Sequence, residues 1–240
     1  METTLTQQLL GEYLGTLILI LLGDGAVAAS VLKKTKSYDT GWLMITIGWG
    51  LAVAIAVYAV GWLSPAHINP AVTVGMAVAG EIGWGSVIPY IIAQVAGGFT
   101  GAILVWIHYK MHFDATSDQG AILAVFSTGP AIKGEKWNIL SEIIATIVLV
   151  FSLLAFTQGE FTEGLNPLIV GLLIVAIGIS LGGTTGYAIN PARDFGPRLA
   201  HQALPIKNKG SSEWHYAWIP IVGPLVGGAL GALLYLAISL

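Results

Sequence analysis

The stretch SPAHINPAVTVG at residues 64–75 contains Asn69-Pro70-Ala71, and the stretch GYAINPARDFGP at residues 186–197 repeats this tripeptide as Asn190-Pro191-Ala192. Asn is a preferred helix N-cap, and Pro is best tolerated at the first helical position, where its missing N–H is not needed. Each tripeptide therefore predicts the start of a helix. The apolar runs that follow hold about 11 residues, or roughly 16 Å of helix, which is too short to cross a bilayer. They occupy residues 69–80 and 190–200.

The composition of the chain predicts the surroundings of these helices. Of its 240 residues, 55% are hydrophobic and only 10% are charged, and the mean hydropathy is +0.78. Such values are typical of membrane proteins, and continuous apolar runs without a period of two favour helices over barrel strands. Six runs approach the ~20 residues that a spanning helix needs, and they cover residues 13–32, 41–62, 84–108, 139–156, 165–181 and 216–240. We therefore predict an all-α integral membrane protein with six transmembrane helices and two re-entrant half-helices.

A longer pattern relates the two halves of the chain. Glu12 with Thr16 opens the first apolar run, and Glu142 with Thr146 opens the fourth. Because three spanning helices per half is an odd number, the second half must enter the membrane from the opposite side, and such inverted repeats place a substrate path near the midplane. The predicted boundaries are 1–240 for a single domain, about 8–108 and 138–240 for the repeats, and 109–137 for the loop between them.

Composition and missing motifs exclude several classes of function. A net charge of -3 offers no basic surface for nucleic acid, and the absence of Cys excludes disulfides and thiolate metal sites. His108 and His112 have metal-ligand spacing, with Asp114 nearby, but the Glu of a zinc protease motif is missing. The sequence has no paired nucleophile and base and no phosphate-binding glycine loop. We predict no enzyme activity, no metal and no cofactor.

The two tripeptides, with Arg193 three residues after Asn190, resemble the signature loops of the aquaporin superfamily. The resemblance runs from Glu12 to the last apolar run and so covers nearly the whole chain. Within the superfamily the chain is similar to the bacterial glycerol facilitators, or aquaglyceroporins. The positions that mark this branch hold Asp194, Arg198, Pro220 and Ile221.

The resemblance implies a selectivity filter whose four residues map by position onto Trp49, Gly178, Tyr187 and Arg193. Water-only channels carry His at the position of Gly178, so the absence of that ring is expected to leave room for a carbon chain. Facilitators usually have Phe at the position of Tyr187, so this chain is expected to add a hydroxyl to the constriction. Arg193 supplies a rigid fork of donors, and the two aromatic residues supply apolar faces. Such a filter suits glycerol better than an ion.

The function implied by the resemblance is passive conduction of glycerol and other small neutral polyols, with water as a co-permeant and with ions and protons excluded. Each half-helix presents unpaired N–H groups and roughly +0.5 charge at its start, which repels cations. Asn69 and Asn190 are expected to donate hydrogen bonds to a passing hydroxyl. The resemblance also implies a homotetramer among membrane lipids in a bacterial plasma membrane, with both termini in the cytoplasm.

Two alternatives remain open at this stage. Undissociated lactic acid is close to glycerol in size and would suit the added Tyr187 hydroxyl, and the sequence does not separate glycerol from dihydroxyacetone or urea. A proton-coupled transporter would use Glu12, Glu142 or Asp24, because charges at membrane depth are costly and mark functional sites. The resemblance instead makes both Glu residues buried acceptors that hold the pore loops, and His67 a hydrogen-bonded loop anchor. For Asp24 we expect a place near a membrane face, paired with a backbone donor.

The distribution of basic residues conflicts with the implied orientation. All ten Lys and Arg residues fall on the side opposite the termini: Lys33, Lys34, Lys36, Lys110, Lys133, Lys136, Arg193, Arg198, Lys207 and Lys209. The positive-inside rule alone would place these loops in the cytoplasm. We follow the family orientation, because the two Arg residues belong to the pore region and the remaining bias rests on lysines.

Overall fold

The computed structural model describes residues 3–239, so the ends of the predicted domain 1–240 and Leu240 at the end of the last predicted run lie outside the described part. Within residues 3–239 the chain forms ten α-helices and no strand. In chain order they are α1 (Leu5–Val31), α2 (Trp42–Val60), α3 (Pro70–Ala79), α4 (Trp84–His108), α5 (Lys110–Ala115), α6 (Gln119–Phe126), α7 (Glu135–Phe156), α8 (Asn166–Leu181), α9 (Pro191–Ala203) and α10 (Ile219–Ile238). The predicted all-α class is confirmed.

Each of the six long apolar runs coincides with one long helix, although α1 and α7 begin eight and four residues before their runs. Five of these helices, α1, α2, α4, α7 and α10, are long and apolar enough to cross a membrane. Helix α8 has 16 residues, which is about 24 Å of helix. Helices α3 and α9 have 10 and 13 residues and begin at the two predicted starts. The observed set therefore matches six long and two half-length helices.

The segment between the halves differs from the predicted loop at 109–137, because it contains the two short helices α5 and α6. Asp118 caps α6 by accepting a hydrogen bond from the Ala121 N–H at 3.1 Å. The apolar residues Ile122, Val125 and Phe126 are fully buried, and α6 packs against α1 and α9. The apolar patch of this segment thus forms a helix that docks on the bundle.

The two half-helices pack across the halves of the chain. Helix α1 packs on α2 and α4, α7 packs on α10, and α2 packs on α8, whereas α3 contacts α10 and α9 contacts α4.

Glycines permit the close approach of neighbouring helices. A Cβ on Gly97 of α4 would lie 2.2 Å from the Tyr13 carbonyl oxygen, and one on Gly227 of α10 would lie 2.6 Å from that of Ile143. Small residues of this kind let helices associate in lipid.

Apolar side chains are exposed along the long helices, and three acidic side chains are buried between these helices. Large hydrophobic side chains are exposed on several long helices, among them Leu51, Ile55, Ile88, Ile92, Ile144 and Leu233. Trp62, Trp84 and Trp137 are exposed at helix ends, where aromatic residues mark membrane interfaces. Glu12, Asp24 and Glu142 are fully buried. This arrangement is the one expected for a protein surrounded by lipid.

Candidate functional site

The candidate site is a central cavity of about 560 Å³ between the long helices. One wall is apolar and includes Leu19, Val53, Val57, Leu149, Leu153 and Ile174. The lining also includes the backbone that precedes each half-helix, with Asn69 and Asn190. Beyond the far end of α3 the lining includes Glu81, and it continues to Phe161 and Asn166. The cavity is therefore amphipathic, with apolar side chains facing polar backbone.

Asn69 and Asn190 join the starts of the two half-helices. Each side-chain oxygen accepts a hydrogen bond from the backbone N–H two residues later, at 2.8 Å and 3.0 Å. Each side-chain amide crosses to the other loop: Asn69 Nδ2 donates to the Ile189 carbonyl and Asn190 Nδ2 donates to the Ile68 carbonyl, both at 2.8 Å. An amide nitrogen carries two hydrogens, and each Nδ2 makes one hydrogen bond within residues 3–239, so one hydrogen on each Asn remains for another acceptor.

The loops before the half-helices have the same unusual backbone. Residues three and one positions before each Asn have positive φ: Ala66 (53°), Ile68 (45°), Tyr187 (39°) and Ile189 (42°). This left-handed conformation is a genuine outlier for a β-branched residue. Such residues cost of order 1–3 kcal/mol each and persist only where the surroundings fix them, most often at functional sites.

The conformation leaves acceptors on the cavity wall. Ala66, His67, Tyr187 and Ala188 all line the cavity. Within the described residues 3–239, their carbonyl groups accept no hydrogen bond from the protein. Buried carbonyls without a partner are uncommon because they lose their water without replacement. These four carbonyls can accept hydrogen bonds from a permeating hydroxyl or water.

Glu12 on α1 fixes the first loop. Its side chain is fully buried, and its carboxylate accepts four hydrogen bonds of 2.7–3.0 Å. The donors are Ser64 Oγ, the backbone N–H groups of His67 and Ile68, and Gln94 Nε2. The His67 ring adds a contact to α3, with Nδ1 3.2 Å from Thr73 Oγ1.

Glu142 on α7 holds the second loop in the same way. Thr185 Oγ1 donates to its carboxylate at 2.6 Å, and the N–H groups of Ala188 and Ile189 donate at 3.0 Å and 2.9 Å. These donors stand at the same distances before Asn190 as Ser64, His67 and Ile68 stand before Asn69. The strained backbone of each loop is thus held by one buried carboxylate from a long helix.

Three of the four predicted filter residues meet at one end of the cavity. Trp49, Tyr187 and Arg193 line it, and Arg193 Cζ lies 4.1 Å from the centroid of the Trp49 ring. Arg193 Nη1 donates to the Phe126 carbonyl at 3.4 Å and to Asp24 Oδ1 at 3.5 Å. In the described part of the chain, Nε and Nη2 of Arg193 have no protein acceptor, so they can donate to a solute.

Gly178, the fourth predicted filter residue, lies behind Tyr187. A Cβ on Gly178 would lie 2.8 Å from both Cζ and the hydroxyl oxygen of Tyr187. The expected gap at Gly178 is therefore filled by the phenol ring. Trp42 packs edge-on against this ring, with 5.7 Å between the ring centroids. Gly182 leaves space for the ring, because a Cβ at that position would lie 2.5 Å from Tyr187 Cδ1.

The Tyr187 hydroxyl does not add a donor to the constriction, which corrects the expectation from sequence. Its oxygen is buried and has no hydrogen-bond partner within residues 3–239. The physical reason is the placement of the phenol end against Gly178, where a Cβ would lie 2.8 Å from the hydroxyl oxygen, so that packing covers this oxygen. The ring therefore serves the cavity as an apolar surface.

Asp194 and Arg198 form a second buried cluster beside the filter. Arg198 Nε and Nη2 donate to the two oxygens of Asp194 at 2.8 Å and 3.0 Å, and neither side chain is exposed. Asp194 also accepts from the N–H and hydroxyl of Thr128 at 2.8 Å, and Arg198 Nη1 donates to the Ser212 carbonyl at 2.8 Å. The pair ties α9 to the segments on either side of it in space.

Sequence reasoning missed two contributions to the site. Asp24 is fully buried and its Oδ1 lies 3.5 Å from Arg193 Nη1, so its partner is a side chain and not the expected backbone donor. Its isolated charge in an apolar run was the only signal. The backbone of Phe126 and Thr128 also reaches Arg193 and Arg198. No residue type in that segment indicates a contact made through carbonyl groups.

The chain is similar to a known protein family, to individual members of it and to a solved structure. The chain matches the family model "Major intrinsic protein" over residues 1–235. It is 64% identical over 235 residues to glycerol uptake facilitator protein 3 of Lactiplantibacillus plantarum, a match covering 98% of both chains. It is 58% identical over 228 residues to the glycerol uptake facilitator protein of Streptococcus pneumoniae, covering 95% of this chain and 97% of that one. The X-ray structure of the aquaglyceroporin from Plasmodium falciparum superposes with a TM-score of 0.84 at 31% identity, covering 97% and 96% of the two chains.

Proposed function

The chain belongs to the major intrinsic protein family, and from that premise we propose that it is a passive transmembrane channel for glycerol and other small neutral polyols, with water as a co-permeant. It is a multi-pass membrane protein. The observation that carries the proposal is the amphipathic lining of the cavity, where the Arg193 guanidinium lies beside the apolar rings of Trp49 and Tyr187. The names of the relatives, which are glycerol uptake facilitators, point to the same solute.

The geometry suits a molecule with hydroxyl groups along one edge and carbon atoms along the other. At the filter, Nε and Nη2 of Arg193 can donate to neighbouring solute oxygens while Trp49 and Tyr187 contact the carbon chain. Past the filter, one free hydrogen on each of Asn69 and Asn190 and the loop carbonyls provide further partners. A polyol can therefore exchange its bonds to water for bonds to protein without a large barrier.

Cations are repelled by the same arrangement. The two half-helices start next to each other, because each Asn bonds the loop before the other helix. Each start carries roughly +0.5 charge from the helix dipole. Arg193, the third residue of α9, adds N–H donors near these starts, and donors offer no ligand to a cation. Together they oppose the entry of metal cations and hydronium.

The carboxylates of the pore loops favour a passive channel over proton coupling. Glu12 accepts four hydrogen bonds and Glu142 accepts three, all from groups that define the loop backbone. Protonation of either residue would remove an acceptor from a strained loop. A role in holding the loops accounts for both residues without a transported proton.

No specific feature of the site favours lactic acid. The argument for that solute was a hydroxyl in the constriction, and the Tyr187 oxygen is buried against Gly178. Lactic acid, dihydroxyacetone and urea therefore enter only as members of the solute panel that tests the proposal.

The proposal includes an oligomer and an orientation carried over from the family. We propose a homotetramer in a bacterial plasma membrane with both termini in the cytoplasm and the lysine-rich loops outside. The chain has no Cys, so single cysteines at Lys34 and at Glu160 can report the orientation. Labelling of intact cells by an impermeant maleimide at Lys34→Cys alone supports it, and labelling at Glu160→Cys alone reverses it.

The function is tested by stopped-flow light scattering of vesicles that contain the full chain. Glycerol permeability should exceed that of protein-free vesicles by at least about tenfold, because a barrier lowered by about 1.4 kcal/mol already raises a rate tenfold. Water permeability should also rise, and sorbitol should remain excluded. Glycerol permeability equal to that of protein-free vesicles would contradict the proposal.

A further inference from the structure

Four buried side chains at the filter end carry charges of both signs. They are Asp24, Arg193, Asp194 and Arg198, and none is more than 7% exposed. A charge removed from water is stable only when it is paired or well hydrogen-bonded. The pairing of these four groups therefore decides the net charge that a solute meets.

Asp194 is already committed to Arg198. Both of its oxygens accept from that guanidinium, at 2.8 Å and 3.0 Å, and one also accepts from Thr128. It is therefore not the partner of its neighbour in sequence, Arg193. The other buried carboxylates, Glu12 and Glu142, accept from the pore loops. Among the acids that are buried within residues 3–239, this leaves Asp24.

Asp24 approaches the filter from α1. Its Oδ1 lies 3.5 Å from Arg193 Nη1, and its Oδ2 has no hydrogen-bond partner within residues 3–239. The preceding residue, Gly23, lies against Trp49, because a Cβ there would be 2.3 Å from that ring. Trp49 in turn lies under the Arg193 guanidinium. One turn of α1 thus supports both the ring and the charge of the constriction.

We propose that Asp24 is the counter-ion of Arg193, holding the guanidinium in the filter and cancelling its charge so that the channel rejects anions as well as cations. Arg193 and the two half-helix starts are all positive, so without a nearby negative charge the constriction would attract small anions. A guanidinium fork is a strong site for anions when it is uncompensated. Asp24 is a positioning residue, since it acts on the solute through Arg193. The inference rests on the proposed channel function.

Single and double substitutions separate the charge from the shape. Asp24→Asn keeps the size and one acceptor oxygen but removes the charge, and it should raise iodide influx, read by quenching of a trapped halide-sensitive dye, at least about tenfold. Arg193→Val leaves Asp24 uncompensated, and it should raise proton leak under a potassium diffusion potential. The double variant restores neutrality, so both leaks should return toward those of the wild-type protein. If Asp24 had only a structural role, Asp24→Asn would not raise anion influx while Arg193→Val raises proton leak.

The matched control is Asp39→Asn. Asp39 is an exposed acid that follows the same end of α1, and Asn tolerates its positive φ of 64°. This variant removes the same charge away from the filter and should leave iodide influx unchanged. If Asp24→Asn fails to fold because Arg193 is left unpaired, the double variant should recover the yield of folded protein, which also supports the pairing.

Two results overturn the inference. The first is folded Asp24→Asn with iodide influx equal to that of the wild-type protein, and the second is a double variant that leaks iodide as fast as Asp24→Asn. Glycerol and water permeability are measured on the same wild-type vesicles. Absence of glycerol flux there would overturn the proposed function, while the response of iodide influx to Asp24→Asn judges the counter-ion separately.

Discussion

At the scale of single residues, Gly178 and Tyr187 share one space in the constriction. A side chain at 178 would begin 2.8 Å from the phenol oxygen, so Gly178→His must push the Tyr187 ring toward the lumen. We expect glycerol permeability to fall at least about tenfold and water permeability to fall less, because a narrower lumen raises the barrier most for the larger solute. Stopped-flow light scattering of both permeants measures the ratio.

The control for this substitution is Gly183→His. A Cβ at Gly183 meets no atom within 4 Å, so the same ring is added without a collision. Equal losses of glycerol and water permeability in Gly178→His, or equal losses in the two variants, would show that Gly178 does not set the width of the pore.

Tyr187→Phe tests the orientation of the hydroxyl. The oxygen is buried without a partner in the described residues, and an unsatisfied buried polar group costs about 1–3 kcal/mol. We expect the variant to keep the ratio of lactic acid to glycerol permeability and to unfold at the same or a higher temperature. A change of several fold in the ratio of lactic acid to glycerol permeability would mean that the hydroxyl contacts the solute, and it would support lactic acid as a permeant.

At the scale of helices and loops, each strained pore loop depends on one carboxylate from a long helix. Glu142→Gln replaces one carboxylate oxygen by an NH₂ group, which cannot accept from the N–H of Ala188 or Ile189. Hydrogen bonds to charged groups contribute about 1.5–3 kcal/mol each, so we expect a clear fall in the melting temperature and in glycerol permeability. Glu135→Gln on the same helix is exposed and should change neither.

The sequence predicted the helices well because the signals for them are local. Asn-Pro starts and long apolar runs placed α3, α9 and five of the long helices within a few residues, whereas α1 begins at Leu5, eight residues before its predicted run. Helix α6 lies within the predicted loop and was missed because its apolar residues Ile122, Val125 and Phe126 are stabilised by packing against α1 and α9. Short helices without strong propensity depend on such tertiary contacts.

The constriction was predicted less completely because its shape arises from contacts between distant segments. Family position identified Trp49, Tyr187 and Arg193, which do meet at the cavity. It could not show that the Tyr187 ring fills the space beside Gly178, or that Asp24 lies at 3.5 Å from Arg193. Asp24 and Arg193 are 169 positions apart in the sequence, so packing in the folded protein decides whether their side chains meet.

At the scale of the whole molecule, two sets of helices bring two half-helix starts together inside an apolar bundle. Each half-helix packs on long helices of the other half, so neither half can form the cavity by itself. Helix α1 contributes to a pore loop and to the filter, since Glu12 accepts hydrogen bonds from the first loop and Asp24 pairs with Arg193. The molecule is thus built as a path lined by donors and acceptors, and the carboxylates of Glu12 and Glu142 hold the backbone of the two pore loops.

The concentration dependence of glycerol flux tests this account most directly. Vesicles containing the wild-type chain are loaded across a wide range of glycerol gradients, with and without an imposed pH gradient. A passive channel predicts an initial flux that rises in proportion to the glycerol gradient and that is the same in both conditions. Flux that saturates at low glycerol and that follows the direction of the pH gradient would contradict the channel and would instead indicate proton-coupled transport.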